Sequence, residues 1–215
     1  FTAMRARKQY LRTFRDSIER QDVAPADIGG ATLGPQSIET LVSELSHPEP
    51  RRVLYAIDLL DALDKRHLVT PLLLAHESAD IRARTLKVAE AAGTEAADRW
   101  LPRVERALRD PDASVRVAAV GALAALRGQA AADVMRPFLR GSDQALAIVA
   151  AAALASSTQE ADVKAAEDRL RTFSSDTREQ GTPWRLLTAR ALGEVTNPSF
   201  RPLLVPLMYD PNVEV

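Results

Sequence analysis

The chain has 215 residues, a net charge of −1 at neutral pH, 46% hydrophobic but only 5% aromatic residues, and no cysteine. That charge balance supplies no global field for nucleic acid or an anionic membrane, and the missing cysteine excludes a disulfide frame, a thiolate nucleophile and Cys-ligated zinc. With so few aromatics the core must be built from Ala, Leu and Val, which suits closely packed helices rather than sheets.

Residues 1–20 read as a basic amphipathic helix. Met4, Leu11, Phe14 and Ile18 share one face, while Arg5, Arg7, Lys8, Arg12, Arg15 and Arg20 outnumber Asp16 and Glu19 to leave +4. Residues 21–34, with Pro25, Gly29, Gly30 and Gly34, read as a linker. Residues 21–50 hold no Lys or Arg and carry −5. No apolar run approaches the ~18–20 residues that span a bilayer, and no signal peptide is recognised. The chain starts at Phe1 and stops at Val215 inside a repeated phrase, so it is expected to be a piece of a longer protein.

From residue 35 onward one phrase recurs. Its clearest copy is Asp110-Pro111-Asp112-Ala113-Ser114-Val115-Arg116-Val117-Ala118-Ala119-Val120, a turn followed by an alanine-rich helix. The turn position is taken by His47, His76, Asp110, Gly141, Glu179 and Asp210, at spacings of 29, 34, 31, 38 and 31 residues. A period of that size is the signature of stacked helical pairs. Five residues after each turn stand Arg52, Ile81, Val115, Leu146, Trp184 and Val215; thirteen after it stand Leu60, Ala89, Leu123, Leu154 and Leu192. These are the expected core positions of the second helices, with Arg52 marking a register shift of one in the first repeat.

A first helix with its own apolar stripe is expected before each turn. The stripes are Ile38, Leu41, Val42 and Leu45; Leu68, Val69, Leu72 and Leu73; Leu101, Val104 and Leu108; Val134, Met135, Phe138 and Leu139; Val163, Ala166, Leu170 and Phe173; and Leu203, Leu204, Leu207 and Met208. Pro102 and Pro202 stand eight residues before their turns, and Pro137 and Pro206 four before, which predicts a reused bend. Ser157-Thr158-Gln159-Glu160 reads as a capping box, and Asn197-Pro198 as an N-cap with proline at N1. Residues 174–183 read as a polar loop.

Catalytic motifs are absent: there is no P-loop, Gly-x-Gly-x-x-Gly or Gly-x-Ser-x-Gly. His47 and His76 occupy the turn position, so capping explains them better than metal binding. Arg82, Arg116 and Arg185 recur at one repeat position. They form either a basic stripe for nucleic acid or a structural ladder in which each Arg bonds an acidic turn residue such as Asp112 or Asp80. The ladder is the favoured reading, because the acids come with the arginines. Trp184 is expected to fill the core. Tyr55, Asp58 and Asp61 lie along the second helix of the first repeat and form the candidate interaction surface, with a plain solvated face as the alternative.

The Asp-Pro-x-x-x-Val-Arg-x-x-Ala phrase, together with a proline-bearing first helix, resembles the HEAT-repeat family over about residues 35–215. Tyr10-Leu11-Arg12-Thr13-Phe14-Arg15-Asp16-Ser17-Ile18, the linker, and Arg51-Arg52-Val53-Leu54-Tyr55-Ala56-Ile57-Asp58-Leu59-Leu60 are similar to the soluble HEAT region of certain bacterial membrane proteins. In those proteins a part related to nucleotide translocases precedes the repeats, and a cyclic-nucleotide-binding domain sometimes follows. The single His76-Glu77 pair falls short of the several such pairs in HEAT-fold di-iron hydroxylases.

The expected fold is therefore all-α: a right-handed α-solenoid of HEAT-like pairs over residues 35–215, truncated within its last repeat, with an extra N-terminal helix at 1–20 and a linker at 21–34. The expected function is a non-catalytic interaction or coupling scaffold. No catalytic, cofactor-binding or metal residue is identified. The resemblance implies a cytoplasmic domain tethered to the inner membrane, with Arg5, Arg7, Lys8 and Arg12 close to the lipid. Its partners would be proteins or adjacent domains of the same polypeptide, not nucleic acid, with self-association at the truncated C-terminal end. The alternatives are a nucleic-acid-binding HEAT-like protein of the DNA glycosylase type and a HEAT-fold lyase such as the bilin lyases.

Overall fold

The computed structural model describes residues 35–212. The basic helix, the linker, Arg5, Arg7, Lys8, Arg12 and Val215 lie outside the described residues. Within them every regular element is helical and no strand occurs. The chain divides into two compact units between Val88 and Ala89.

The first unit holds α1 (Pro35–Glu44), α2 (Pro50–Ala62), two 3-10 helices (Arg66–Leu68 and Pro71–Ala75) and most of α3, which runs Ala79–Ala92. Its core is Leu41, Val53, Ala56, Ile57, Leu59, Leu60, Val69, Ile81 and Leu86, all nearly or wholly buried. Val53, not Arg52, is the first core residue of α2, as the register shift requires. Arg52 instead turns back to Glu44 of α1 through Nε and Nη2, both at 2.7 Å. The first helix expected around Leu68–Leu73 does not form. Thr70 precedes Pro71 and is held extended, at φ −96° and ψ 140°, as the residue before a proline favours, which interrupts an α-helix in the middle of the apolar run. Pro71 then starts a 3-10 helix capped by Thr70, whose side chain accepts from the Leu72 N–H. Val69 and Leu73 still face inward, while Leu72 is 62% exposed.

The second unit continues with α4 (Ala97–Ala107), α5 (Ala113–Arg127), α6 (Ala131–Leu139), α7 (Gln144–Leu154), α8 (Glu160–Ser174), α9 (Thr182–Glu194), a 3-10 helix Pro198–Leu204 and a single α-turn, α10 (Val205–Met208). Helix α4 packs on α5; α5 packs on α6 and α7; α7 packs on α6, α8 and α9; and α8 packs on α9. Pair thus stacks on pair, the logic of a helical-repeat array, because no pair can cover its own apolar face. Ala118, Ala119, Ala122, Ala147, Ala150 and Ala151 lie in these contacts, each 8% exposed or less, and their small size lets the helices approach closely. Leu123 and Leu154 are buried at the repeated core position. Each such leucine contributes about 1.5–3 kcal/mol by leaving water.

Helix ends follow local chemistry. Asp112 caps α5 by accepting from the Ser114 and Val115 N–H groups at 2.8 and 3.4 Å, and Asp143 caps α7 by accepting from Leu146 N–H at 3.2 Å. Gly128 ends α5 at φ 53°, a left-handed position that glycine takes without a Cβ clash. Asp64 does the same after α2 at φ 57°, a conformation tolerated by short polar side chains.

Several expectations change. The capping box at Ser157–Glu160 is displaced: Gln159 is the N-cap of α8 with no side-chain cap, while the Ser157 hydroxyl accepts from Gln159 N–H and donates to Asp162. The prolines at equal offsets do not share one bend. The α-helix runs on through Pro102 and Pro137, whereas Pro202 sits in a 3-10 helix between Pro198 and Pro206. Three prolines at intervals of four remove successive N–H donors there, which disfavours the α-helical ladder.

Candidate interaction surface

The turn position carries one recurring device. Its side chain accepts the N–H two residues on: His47 from Glu49 at 3.1 Å, His76 from Ser78 at 3.0 Å, Asp110 from Asp112 at 2.9 Å and Asp210 from Asn212 at 2.9 Å. Both histidines use Nδ1 as the acceptor, so they serve as turn caps in place of aspartate. In the fifth repeat the residue doing this is Asp176, which accepts from Arg178 N–H at 3.1 Å, and not Glu179. Three extra residues, the 3-10 turn Glu179–Gly181, separate it from α9. Counting back from the arginine hid this insertion.

The recurring arginines form a ladder, and the acids that Arg116 and Arg185 bond are turn residues of the next pair. Arg116 donates through Nε and Nη2 to Asp143 of the next pair, at 3.1 and 2.8 Å, and through Nη1 to the carbonyls of Asp110 and Pro111. Arg82 likewise donates to the carbonyls of His76 and Glu77, both at 2.8 Å. Arg185 bonds Asp210 and donates to the carbonyls of Asp176 and Arg178 and to the Thr182 hydroxyl. All five of its N–H groups are thereby satisfied. Asp112 caps α5, and the fork of Arg116 meets the acid that the next pair presents, Asp143. Trp184 is half-buried and Arg185 beside it is buried, the reverse of the expected assignment.

The fourth repeat has Ala147 where Arg82, Arg116 and Arg185 stand in theirs. Its tie comes from the first helices: Arg136 of α6 bonds both oxygens of Asp162 on α8, at 2.6 and 2.9 Å. These pairs hold the carboxyls ionised. The Arg136 and Ser157 hydrogen bonds lower the Asp162 pKa against burial, and Arg185 lowers that of Asp210. At Asp143 burial opposes ionisation, but the bonds from Arg116 and the Leu146 N–H outweigh it. Asp176 is lowered to about 2 by the Arg178 side chain and N–H.

Of the candidate interaction residues, Tyr55 is 8% exposed and belongs to the core of the first unit, because α2 is buried on more than one side. Asp58 and Asp61 do reach the surface, joined by Arg84, which bonds both, and by Arg66, which bonds Asp61. Burial works against the Asp61 carboxylate, yet the two arginines lower its pKa. Sequence reading found the acids and missed the arginine 23 residues on that neutralises them.

Between α6 and α8 lies an open groove of about 660 Å³, lined by Asp133, Arg136, Arg140, Asp162, Asp168 and Arg169 among smaller apolar residues. Acids and bases alternate, so it presents no single sign of charge. Among the described residues no group of three His, Asp or Glu side chains is placed to hold a metal, and no helix is long and apolar enough to cross a membrane.

The turn, the arginine ladder and the pairwise stacking coincide with a known repeat over part of the chain: residues 67–155 match the family model for HEAT repeats. This segment is similar to HEAT repeats. Two crystal structures of engineered proteins share 17% identity with the chain. One match covers 82% of this chain and 91% of the other, at a TM-score of 0.41; the second covers 94% and 61%, at 0.45. No curated protein matches.

Proposed function

We propose that the chain is a non-catalytic coupling scaffold, whose HEAT repeats hold a protein partner or flanking domains at a set spacing. The supporting observation is the use made of its charges. Arg116 and Arg185 at the recurring position, and Arg136 on a first helix, each bind the aspartate of a following helix or turn, so these cations tie neighbouring pairs together. Such ties favour one relative placement of neighbouring pairs, which is what a spacer needs.

In its intact setting the scaffold is proposed to be the cytoplasmic HEAT domain of a bacterial transporter-like membrane protein, tethered to the inner membrane. Two features support this: the resemblance of residues 10–18 and 51–60 to that group, and the +4 charge of residues 1–20. Lys and Arg are enriched in cytoplasmic segments near membrane spans, and each is worth about 1 kcal/mol near an anionic surface. Liposome flotation of the 215-residue chain, with and without anionic lipid, tests it. Flotation that needs anionic lipid and disappears when Arg5, Arg7, Lys8 and Arg12 become Glu is the expected result. No flotation at low salt removes the membrane part of the reading.

A further inference from the structure

The groove between α6 and α8 has a neutralised end and an open one. At the neutralised end Arg136 bonds buried Asp162 on α8 and Asp133 one turn back on α6. One turn beyond Arg136 stands Arg140, and two turns beyond Asp162 stand Asp168 and Arg169; all three line the groove. Among the described residues neither Arg140 nor Arg169 bonds a carboxylate, whereas Arg116, Arg136 and Arg185 use their donors inside the chain.

Arg169 is the more telling of the two. Its guanidinium carbon lies 4.7 Å from the centre of the Phe173 ring, so a cation–π contact holds the group in place. The side chain is half-buried, and its Nε is buried with no protein acceptor. Burying a donor without an acceptor is unfavourable, so this guanidinium is suited to an acceptor supplied from outside the chain.

The surroundings decide what that acceptor is. Pro137, Leu139 and Ala165 give the groove apolar walls. Asp133, Asp162 and Asp168 match the three arginines in number, so the lining has no net positive charge with which to hold a polyanion. A lone carboxylate fits better: it is planar and singly charged, it accepts from a guanidinium fork, and apolar side chains beside it cover the walls.

We propose that this groove docks a segment of a protein partner that presents one Asp or Glu carboxylate, between apolar residues, to Arg140 and Arg169. This names the contact chemistry of the scaffold reading and rests on the protein partner in it; it does not depend on the membrane.

The test titrates three probes into the nitrogen-15-labelled 215-residue chain. They are the peptide acetyl-Ala-Leu-Glu-Leu-Ala-amide, the same peptide with Gln in place of Glu, and inorganic phosphate. The Arg169 Nε–H resonance is the direct readout, and the backbone amides of α8 are the second. Both are expected to shift saturably with the Glu peptide, and about ten-fold more weakly with the Gln peptide, which lacks the charge. Arg140 is exposed and has no acid partner to lose, so Arg140→Glu should leave the melting temperature unchanged while it weakens binding of the Glu peptide by at least the same factor. Equal binding of the two peptides, no shift with either, or full binding to the Arg140→Glu chain overturns the proposal. So does phosphate that binds as tightly as the Glu peptide, because the groove is then a plain anion site. Each of these failures leaves the spacing function of the repeats standing, since the distance between labelled pairs tests that separately.

Discussion

Arg116 joins its own turn to the next helix: its guanidinium reaches Asp143 at 2.8 Å, and Asp143 in turn caps α7 through the Leu146 N–H. One carboxylate therefore carries both a helix cap and an inter-repeat tie. Arg116→Ala should destabilise the chain by about 1–2 kcal/mol, a charged hydrogen-bonded pair discounted for its partial exposure. Asp143→Ala should cost roughly 1 kcal/mol more, because the cap goes as well. Denaturant melts of both single variants and the double variant give the coupling directly. Additive losses would show that the pair is incidental. Arg116→Lys should not restore stability, since an ammonium cannot reach carboxylate and carbonyls with one planar fork.

Leu123→Asp should destabilise by several kcal/mol, an order-of-magnitude cost for a charge at a wholly buried position. Asp58→Ala should cost within about 1 kcal/mol, because its pair with Arg84 is part-exposed and Asp61 still holds the arginine. Thermal melts of the two variants compare them. Equal melting temperatures would contradict the assigned repeat register.

The register itself was legible in the sequence because Leu60, Ala89, Leu123, Leu154 and Leu192 recur at one offset, and all five are buried. Interactions that cross repeats were not. The acid bound by Arg116 lies 27 residues on, and that bound by Arg185 lies 25 on. A local pattern offers Asp112 first. The burial of Tyr55 was hidden for a related reason: helical spacing shows which residues share a face, but not how many neighbouring elements cover it. Trp100 went unnoticed although Phe200 repeats it at the same distance from its turn. The 3-10 turns at 66–75 escaped because the apolar spacing of Leu68–Leu73 is that of a helix face, although Pro71 holds Thr70 extended in its middle.

Acid should unfold the chain through these aspartates. Burial opposes ionisation at Asp61 and Asp143, but their arginines prevail, and Asp162, Asp176 and Asp210 are lowered mainly by theirs. A carboxyl whose folded pKa lies below its unfolded value of about 3.9 binds fewer protons when folded, so its stabilisation is complete above that value and is lost as pH falls through the folded pKa. The melting temperature should therefore show no loss from these groups between pH 7 and 5, and fall between about pH 4 and 2, the lower bound being that of Asp176. A fall already complete by pH 5 would exclude these groups as the cause.

Duplex DNA should not bind with consequence. The net charge is −1, and Arg116 and Arg185 are engaged by Asp143 and Asp210. Fluorescence titration at low and physiological salt checks this. Sub-micromolar affinity with a steep salt dependence would favour the nucleic-acid alternative.

The stiffness of the second unit is the centre of this account, and spin-label distances measure it. The chain has no cysteine, so Arg106→Cys and Arg201→Cys, both at exposed positions, give two unique labels. A stack held by the Arg116–Asp143, Arg136–Asp162 and Arg185–Asp210 pairs predicts a single narrow distance distribution, which broadens when Arg116 and Arg185 are both replaced by Ala. A distribution that is broad from the outset, or that ignores the loss of both arginines, would contradict it.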